Sequence, residues 1–331
     1  MSVASSQHKH IIYSAIFALT LSACGGGGGG DGAAGTTGIT YTGITSQASL
    51  TIGNGEEIGT TAYQNGGSTQ GLGTVLSSTT EVEQAQANNN PKTAALAKTL
   101  LGAINKIQLP TSVDAKRYSR AVVTETDSFP GECGGTASFS ISVDDVSGDF
   151  SGSFTFSSYC ELGDVMNGNL SFSGNININT LAFGTMTMTM TSLTVSTGND
   201  SFTVDGSMSF NPSNSPLAIT MDMKLKDNST EQIFWTENFS LTIVEAFTYE
   251  DLSMAGRFYH PDHGYVDITT PTPFHYTGTN EFPYPGVMIA TGANGSTTTL
   301  TSLSITSYQI DIDEDGDSVI DQTTTGNWSS L

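Results

Sequence analysis

Apolar residues alternate with polar ones along most of the chain after residue 118. Met186, Met188 and Met190, for example, are each followed by a threonine. A period of two indicates strands that bury one face, and turns such as Gly198-Asn199-Asp200 indicate antiparallel hairpins. The same alternation occurs in Phe150–Phe156, Leu170–Ile178, Phe202–Phe210, Leu217–Leu225 and Phe239–Ile243. We therefore expect a mainly β fold of about ten strands or more, arranged as a sandwich or as a curved, half-barrel sheet.

One segment before this region has the period of a helix instead. Leu96, Leu100 and Ile104 recur every four residues within Pro91–Ile107. Asn90 can cap such a helix, and proline suits its first position. The spacing predicts an amphipathic helix over about residues 91–107 that packs on the sheet.

A strand and a shorter helix are predicted nearer the N-terminus. Ile39–Thr51 has the composition of a strand. Asn54 followed by Glu57 has the spacing of a capping box, which predicts a short helix through Tyr63. Residues 39–117 are thus expected to form an N-terminal strand plus a helical region, and residues 118–331 an antiparallel β domain.

The first 23 residues have the pattern of an export signal. The weakly basic start, His8-Lys9-His10, is followed by the uncharged apolar stretch Ile11–Leu21. That stretch has about the length of a secretory signal and is shorter than the roughly 20 apolar residues of a membrane-spanning helix. The segment ends in Leu21-Ser22-Ala23-Cys24, with small residues where a peptidase has to grip an extended backbone.

This tetrapeptide resembles the lipobox of bacterial lipoproteins. The resemblance implies that residues 1–23 are removed and that Cys24 carries diacylglyceryl and further acyl groups such as palmitate, which together give lasting membrane attachment. Residues 24–38, with glycine at every position from 25 to 30, would then be a flexible tether. Gly25 stands where Asp often marks inner-membrane retention in that class, so the resemblance implies the outer membrane of a two-membrane cell. A plain secretory peptide that ends in Cys is the alternative.

Charge is distributed very unevenly along the chain. Of the 32 acidic residues, 26 lie after residue 120, together with only three of the ten basic residues, Lys224, Lys226 and Arg257. A region this acidic repels phosphate backbones, which argues against nucleic acid as a partner. Divalent cations are natural partners of such a surface, and solubility at high ionic strength is the simpler explanation of it.

Three cysteines are present, and Cys24 is assigned to the lipid. Cys133 and Cys160 then remain as a pair in an oxidising compartment. We expect them to form a disulfide, although two free thiols are the alternative.

The stretch Asp311-Ile-Asp313-Glu-Asp315-Gly316-Asp317 is the most specific local motif. It resembles the DxDxDG calcium loops of EF-hands, dockerins and thrombospondin-type repeats. The resemblance implies that calcium is bound by the carboxylates of Asp311, Asp313 and Asp315, with Asp317 as a carbonyl ligand. Asp321 is a further candidate, but Gln322 stands where an EF-hand has its bidentate Glu. The alternative is a solvated hairpin turn at Asp315-Gly316.

The second candidate metal site is His260-Pro261-Asp262-His263, with His275 downstream. Two histidines three residues apart could share zinc on a helix, but the proline and Gly264 predict a turn with aromatic neighbours. An ordinary exposed loop is therefore the preferred interpretation.

Function is only broadly indicated. The chain contains no GxSxG, SxxK or phosphate-loop motif, so we expect a non-enzymatic, lipid-anchored envelope protein with a structural, adhesive or binding role. Its partners would be the membrane, through the anchor, and an envelope or extracellular ligand. Two alternatives stay open: a carrier of a hydrophobic ligand, with the methionine stripe 186–190 lining a cavity, and a hydrolase without a recognisable motif.

Overall fold

The computed structural model describes residues 38–66, the three positions Leu96, Leu100 and Ala103, and residues 122–331 apart from positions 162, 181, 199, 213, 247, 278, 279 and 281. These residues form a mainly β unit that contains one sheet and the helix α1 (Gly55–Gly66). The strands are β1 (Val122–Pro130), β2 (Gly134–Asp144), β3 (Asp149–Glu161), β4 (Asp164–Ile176), β5 (Phe183–Thr197), β6 (Asp200–Phe210), β7 (Leu217–Asp227), β8 (Ile233–Ala246), β9 (Tyr249–His260), β10 (Gly264–Thr272), β11 (Phe274–Thr277), β12 (Val287–Thr291), β13 (Thr297–Ser304), β14 (Ser307–Asp313) and β15 (Gln322–Asn327).

The fifteen strands form one open antiparallel sheet. From β1 to β10 each strand pairs with the next in the chain, and the order then continues β12, β13, β14 and β15, while β11 pairs with β9. Within the described chain, β1 and β15 are the two edges. The predicted mainly β, antiparallel fold is confirmed, as a single sheet rather than the two sheets of a sandwich.

Burial alternates along the strands as the sequence predicts. Leu217, Ile219 and Met221 of β7 are buried, and the residues between them are exposed. We call the face that carries the buried apolar side chains the inner face, and the opposite one the outer face. The inner face forms a continuous hydrophobic core from β2 to β14, closed by residues of the N-terminal region.

The outer face is lined by hydroxyl groups. One row of cross-strand partners runs through eight strands, and each partner is a Ser or Thr. The row is Thr124, Ser142, Ser151, Ser173, Thr187, Ser209, Thr220 and Ser240. Neutral side chains of this kind keep a broad sheet face in water without like-charge repulsion between direct neighbours.

A line of β-bulges crosses the same strands. The register shifts in β3, β5 and β8, where Ser158, Ser192 and Asn238 have φ near +50°. Glycines of strongly positive φ lie on neighbouring strands at this level, among them Gly206 (φ +133°), where an added Cβ would meet the backbone of β7. Bulges bend and twist strands, so the aligned bulges bend the sheet along this line.

At two of these bulges, a side chain of the neighbouring strand accepts a hydrogen bond from the backbone N–H that has no partner in the ladder. The Ser158 N–H donates to Asn167 Oδ1 (2.7 Å), and the Ser192 N–H donates to the carboxylate of Asp205. Each acceptor is followed by a glycine of positive φ. Asn167-Gly168 and Asp205-Gly206 therefore lie opposite the bulges on the neighbouring strands. The dipeptides Asn-Gly and Asp-Gly are turn signals in other contexts.

Helix α1 covers part of the inner face, against β8, β9, β12, β13 and β14. The predicted short helix is confirmed, and the Ile58 N–H donates to the Asn54 carbonyl (3.0 Å) at its N-terminal end. The predicted capping box is not formed, because the Asn54 side chain accepts a hydrogen bond from the Thr51 N–H (2.8 Å) and the Glu57 carboxylate faces two histidines. Two glycines allow the close approach: a Cβ at Gly59 would lie 2.6 Å from Thr298, and one at Gly66 would lie 2.7 Å from Phe239. Tyr63 packs from the helix into the core.

The predicted helix over residues 91–107 is described at three positions. Leu96, Leu100 and Ala103 are helical and fully buried in the core. Two of them belong to the predicted apolar stripe. Ile104, Ile107 and the rest of the interval lie outside the described residues.

Residues 38–50 do not form a strand, in contrast to the prediction for Ile39–Thr51. Their strand-like pairing is limited to one isolated parallel β-bridge, between Gln47 and Tyr265. The Ile44 N–H donates to the Pro261 carbonyl (3.0 Å), at the turn after β9. The segment passes from the outer face, where the Ile39 N–H donates to the Asp205 carboxylate, to the inner face. Its hydrogen bonds are therefore spread over several elements instead of one neighbouring strand.

The disulfide is present between Cys133 and Cys160, as predicted. Cys133 lies in the turn between β1 and β2, and Cys160 lies in β3. Their Cα atoms are 5.0 Å apart, within the usual range for a disulfide, and the bond closes a separation of 27 residues. It fixes the first hairpin of the sheet to the third strand.

Candidate functional site

The acidic segment near the C-terminus is an eight-residue loop, Glu314–Asp321, between β14 and β15. It is therefore longer than a two-residue hairpin at Asp315-Gly316. Gly316 takes a φ of +76° and packs against the backbone of Gly295, which favours glycine at this position.

Three carboxylates converge in this acidic loop. Ligand oxygens of Asp313, Asp315 and Asp317 lie within 4.8 Å of one another. Asp313 is only 4% exposed and accepts hydrogen bonds from the N–H groups of Gly316 (2.8 Å) and Ser318 (2.9 Å). These bonds shape the loop so that three of the predicted ligand residues point to one region. Asp317 takes part through its carboxylate and not through the carbonyl that the sequence predicted.

The other two predicted ligands have separate partners. Asp311 lies in β14 and accepts hydrogen bonds from Thr323 Oγ1 (2.6 Å) and Gln309 Nε2 (2.7 Å). Asp321 accepts a hydrogen bond from the Glu314 N–H (2.7 Å), which closes the end of the loop. Neither belongs to the group formed by Asp313, Asp315 and Asp317. Calcium binding itself stays a prediction.

His260 and His263, which the sequence places in an ordinary exposed loop, contact a glutamate of α1. His260 is the last residue of β9, and His263 lies in the turn to β10. Their rings stack with centroids 4.6 Å apart. Glu57 Oε1 lies 3.4 Å from His260 Nε2, and Glu57 Oε2 lies 3.1 Å from His263 Nε2. The sequence marked Glu57 only as a helix-start residue, so its part in this cluster was missed.

The surroundings of this cluster lower the pKa of His260. Burial lowers the pKa of His260, and the neighbouring His263 lowers it further, while Glu57 and Asp262 act in the opposite direction. His260 is 2% exposed, whereas the Glu57 side chain is 55% exposed. The cluster thus has one buried imidazole and an opening to water at its carboxylate.

His275 does not join the other two histidines. It lies in β11, with Nδ1 2.5 Å from Asp251 Oδ1 and its ring against Tyr249. The three histidines therefore form one pair and one separate His–Asp contact.

An aromatic patch interrupts the hydroxyl-lined outer face. Lys224, Trp235, Tyr259 and Tyr265 are direct cross-strand partners on β7, β8, β9 and β10. The rings of Trp235 and Tyr259 are stacked with centroids 4.2 Å apart, and Tyr259 contacts Tyr265 at 5.3 Å. We call these four residues and Arg257 the outer-face patch.

Two of the three basic side chains in the described part of the chain, Lys224 and Arg257, lie in the outer-face patch. Arg257 Cζ lies 3.9 Å from the centroid of Tyr265, and Lys224 Nζ lies 5.7 Å from that of Trp235. Arg257 also pairs with Asp267 Oδ1 through Nε (2.9 Å), and this hydrogen bond is the main reason why its pKa is raised. Stacked aromatic surface and an arginine therefore occur together in an otherwise acidic molecule.

Tyr41, from the extended N-terminal segment, packs against the rings of Trp235 and Tyr259, each at 5.7 Å. Its hydroxyl donates to the carbonyl of Ile44 or His260 (3.1 Å each), and burial raises its pKa to about 12. The patch was missed from the sequence because its members lie on four strands and contact one another only through the sheet register.

The remaining sequence candidates are in the core or outside the described residues. Met186, Met188 and Met190 lie on the inner face, are at most 2% exposed, and belong to the hydrophobic core. Cys24 and the export segment lie outside the described residues. Among the residues described, no helix has the length and apolar character needed to cross a membrane.

Comparison of the chain with protein-family models, with curated proteins and with solved structures finds no match. The functional argument therefore depends on the sequence motifs and on the contacts described above.

Proposed function

We propose that this protein is a lipid-anchored, non-enzymatic protein of the cell envelope that binds an envelope or extracellular component through the outer face of its sheet. Attachment would be through Cys24 and the glycine-rich tether, in the outer membrane. The supporting sequence feature is Leu21-Ser22-Ala23-Cys24 directly before six glycines.

The observation that carries the binding role is the outer-face patch. Binding surfaces obtain most of their affinity from a few aromatic and arginine side chains surrounded by polar groups. Trp235, Tyr265 and Arg257 are partly exposed, and the hydroxyl row crosses two strands of the patch, β7 and β8, on the same face. The stacked rings are held by adjacent strands, so little side-chain freedom would be lost on binding.

The Cys24→Ala chain tests both parts of this proposal. We expect extensive washing to move it from the membrane fraction to the soluble fraction, because no acyl chain can be attached and contacts through the sheet are reversible. The released chain should sediment again with isolated envelopes when the two are mixed, because the outer face is unchanged. A Ser22→Thr chain is the matched control, and it should stay with the membrane. Cys24→Ala protein that remains in the membrane fraction after extensive washing would contradict the anchor, and failure to sediment when mixed with envelopes would contradict the binding role.

We also propose that calcium stabilises the acidic loop. The support is that the carboxylates of Asp313, Asp315 and Asp317 lie close together and that Asp313 is buried. These carboxylates repel one another when no cation is present. Oxygen-only ligands in a loop with a sharp glycine turn suit calcium.

Thermal melts test calcium binding directly. Calcium should raise the Tm of the protein relative to excess chelator, because it binds only the folded loop. Asp315→Asn/Asp317→Asn removes two charges and keeps the oxygens that accept hydrogen bonds in the loop, so this variant should fold and lose the response to calcium. Asp311→Asn, outside the three-carboxylate group, should keep it. Equal Tm values with calcium and with chelator in the unmodified chain would exclude the site.

A further inference from the structure

We infer that Glu57, His260 and His263 form a binding site for a zinc-class transition-metal ion, which joins α1 to the turn between β9 and β10. This site is separate from the outer-face patch and from the acidic loop. It does not depend on the function proposed above.

The three side chains come from two distant parts of the chain. Glu57 is 206 residues before His263, and its carboxylate faces both imidazoles at once. Antiparallel pairing of His260 with Gly264 places the two histidines at the end of one hairpin. Both Nε2 atoms are directed at the same carboxylate rather than at different partners. All three ligand atoms lie within 4.8 Å of one another.

The separations between Glu57 and the two histidines are close to those of a tetrahedral metal site, with each histidine facing a different oxygen of the carboxylate. Zinc binds nitrogen and oxygen at about 2.0–2.2 Å, so two ligand atoms of one ion lie roughly 3.3 Å apart. The contacts from Glu57 to His260 and to His263 are 3.4 and 3.1 Å. The ion would displace any proton that lies between an imidazole and the carboxylate. Two His and one Glu are a ligand set that zinc uses when a fourth position is left for water.

Burial and exposure are arranged as such a site needs. His260 is 2% exposed, so its position is fixed by the core, where its ring also contacts Phe234. His263 and Glu57 are 24% and 55% exposed and leave a path for the ion. The Asp262 N–H now lies 3.3 Å from His260 Nδ1, a long contact that would open when Nδ1 takes the ring proton in the metal complex.

Imidazole ligands distinguish this site from the acidic loop. Nitrogen ligands select zinc, cobalt, nickel or copper, whereas an all-carboxylate loop selects calcium or magnesium. An ion at this position would link α1, which covers the inner face, to the hairpin end where the N-terminal segment is hydrogen-bonded through Pro261. Its role would be to fix the N-terminal region to the sheet.

Cobalt and zinc titrations test the inference. The probe is Co²⁺ added to the metal-stripped full chain that carries Cys24→Ala and no affinity tag, with excess Ca²⁺ present to occupy the acidic loop. We expect one saturable equivalent, a visible absorption spectrum typical of tetrahedral cobalt, and displacement by Zn²⁺. Glu57→Gln and His263→Gln should each weaken binding by about tenfold or more, because each removes one ligand.

His275→Gln is the matched control, since it also removes a histidine that contacts a carboxylate. It should leave the titration unchanged. His8 and His10 are present in every variant, so they contribute equally to each titration. If His260→Gln does not fold, the partly exposed His263 and Glu57 variants still decide the result. Absence of saturable binding in the starting chain, or equal binding in His263→Gln and His275→Gln, would overturn the site.

Discussion

Replacing Trp328 with alanine is expected to lower the free energy of unfolding by about 3–5 kcal/mol, the usual cost of removing a large buried aromatic side chain. Trp328 follows β15 and is 1% exposed. Its ring packs against Tyr63 of α1 and Tyr308 of β14, each with centroids 5.1 Å apart. Its Nε1 donates to the Ser304 carbonyl (3.0 Å), which would lose this partner. Urea denaturation followed by circular dichroism measures the change.

The second tryptophan of the chain is the control for this experiment. Trp235 lies on the outer face and is partly exposed, so Trp235→Ala should cost only about 1–2 kcal/mol through its lost stacking and packing. Acrylamide should quench the fluorescence of Trp235 much more strongly than that of Trp328, and single-tryptophan variants separate the two signals. Equal losses of stability in the two alanine variants would be incompatible with one buried and one outward-facing tryptophan.

Reduction of the Cys133–Cys160 disulfide should lower the free energy of unfolding by about 3.5 kcal/mol in the chain-entropy estimate for a loop of this length. The bond joins the turn after β1 to β3, at the sheet edge formed by β1. Loss of the bond leaves the unfolded chain with more conformations, while the strand pairing of the folded state is retained. Denaturation of the Cys24→Ala chain with and without reductant gives the difference.

The Cys133→Ala/Cys160→Ala variant controls for other effects of the reductant. Its unfolding midpoint should be close to that of the reduced chain, and reductant should not change it further. The oxidised Cys24→Ala chain should contain no titratable thiol before unfolding. A titratable thiol in that chain, or midpoints that are equal with and without reductant, would contradict the structural assignment of this bond.

The strands could be predicted because their signal is local. Alternate burial requires only that neighbouring side chains point to opposite faces, and Met186, Met188 and Met190 show this pattern directly. Hairpin connections then determine most of the strand order, since each strand up to β10 pairs with its successor. The spacing from Asn54 to Glu57 located α1, although the two side chains contact Thr51 and the histidines instead of forming a capping box.

What could not be predicted depends on contacts between distant segments. Glu57 meets His263 only because α1 packs beside the end of the β9–β10 hairpin. The patch residues Trp235 and Tyr265 become neighbours through the register of β8, β9 and β10. Ile39–Thr51 has strand-like residues, but its partners are a turn, one bridge and the Asp205 carboxylate. Composition contains no information about which of these contacts forms.

The bulges could not be predicted from the sequence for a different reason. Asn167-Gly168 and Asp205-Gly206 have the residues of turns, yet both lie within strands. Their side chains accept the free amides of Ser158 and Ser192 across the sheet. An Asn or Asp before glycine, in a run that otherwise alternates, is the signal that could have found them.

Binding of the lipid-free Cys24→Ala chain to isolated envelopes is the measurement that tests the central claim most directly. In that chain, Trp235→Ala/Tyr265→Ala removes the exposed aromatic surface of the outer-face patch and should weaken binding by about tenfold or more. Tyr284→Ala removes an exposed tyrosine between β11 and β12 and should bind normally, with the folding of both variants checked by thermal melts. A patch variant that is folded and binds as tightly as this control would contradict binding through the outer face.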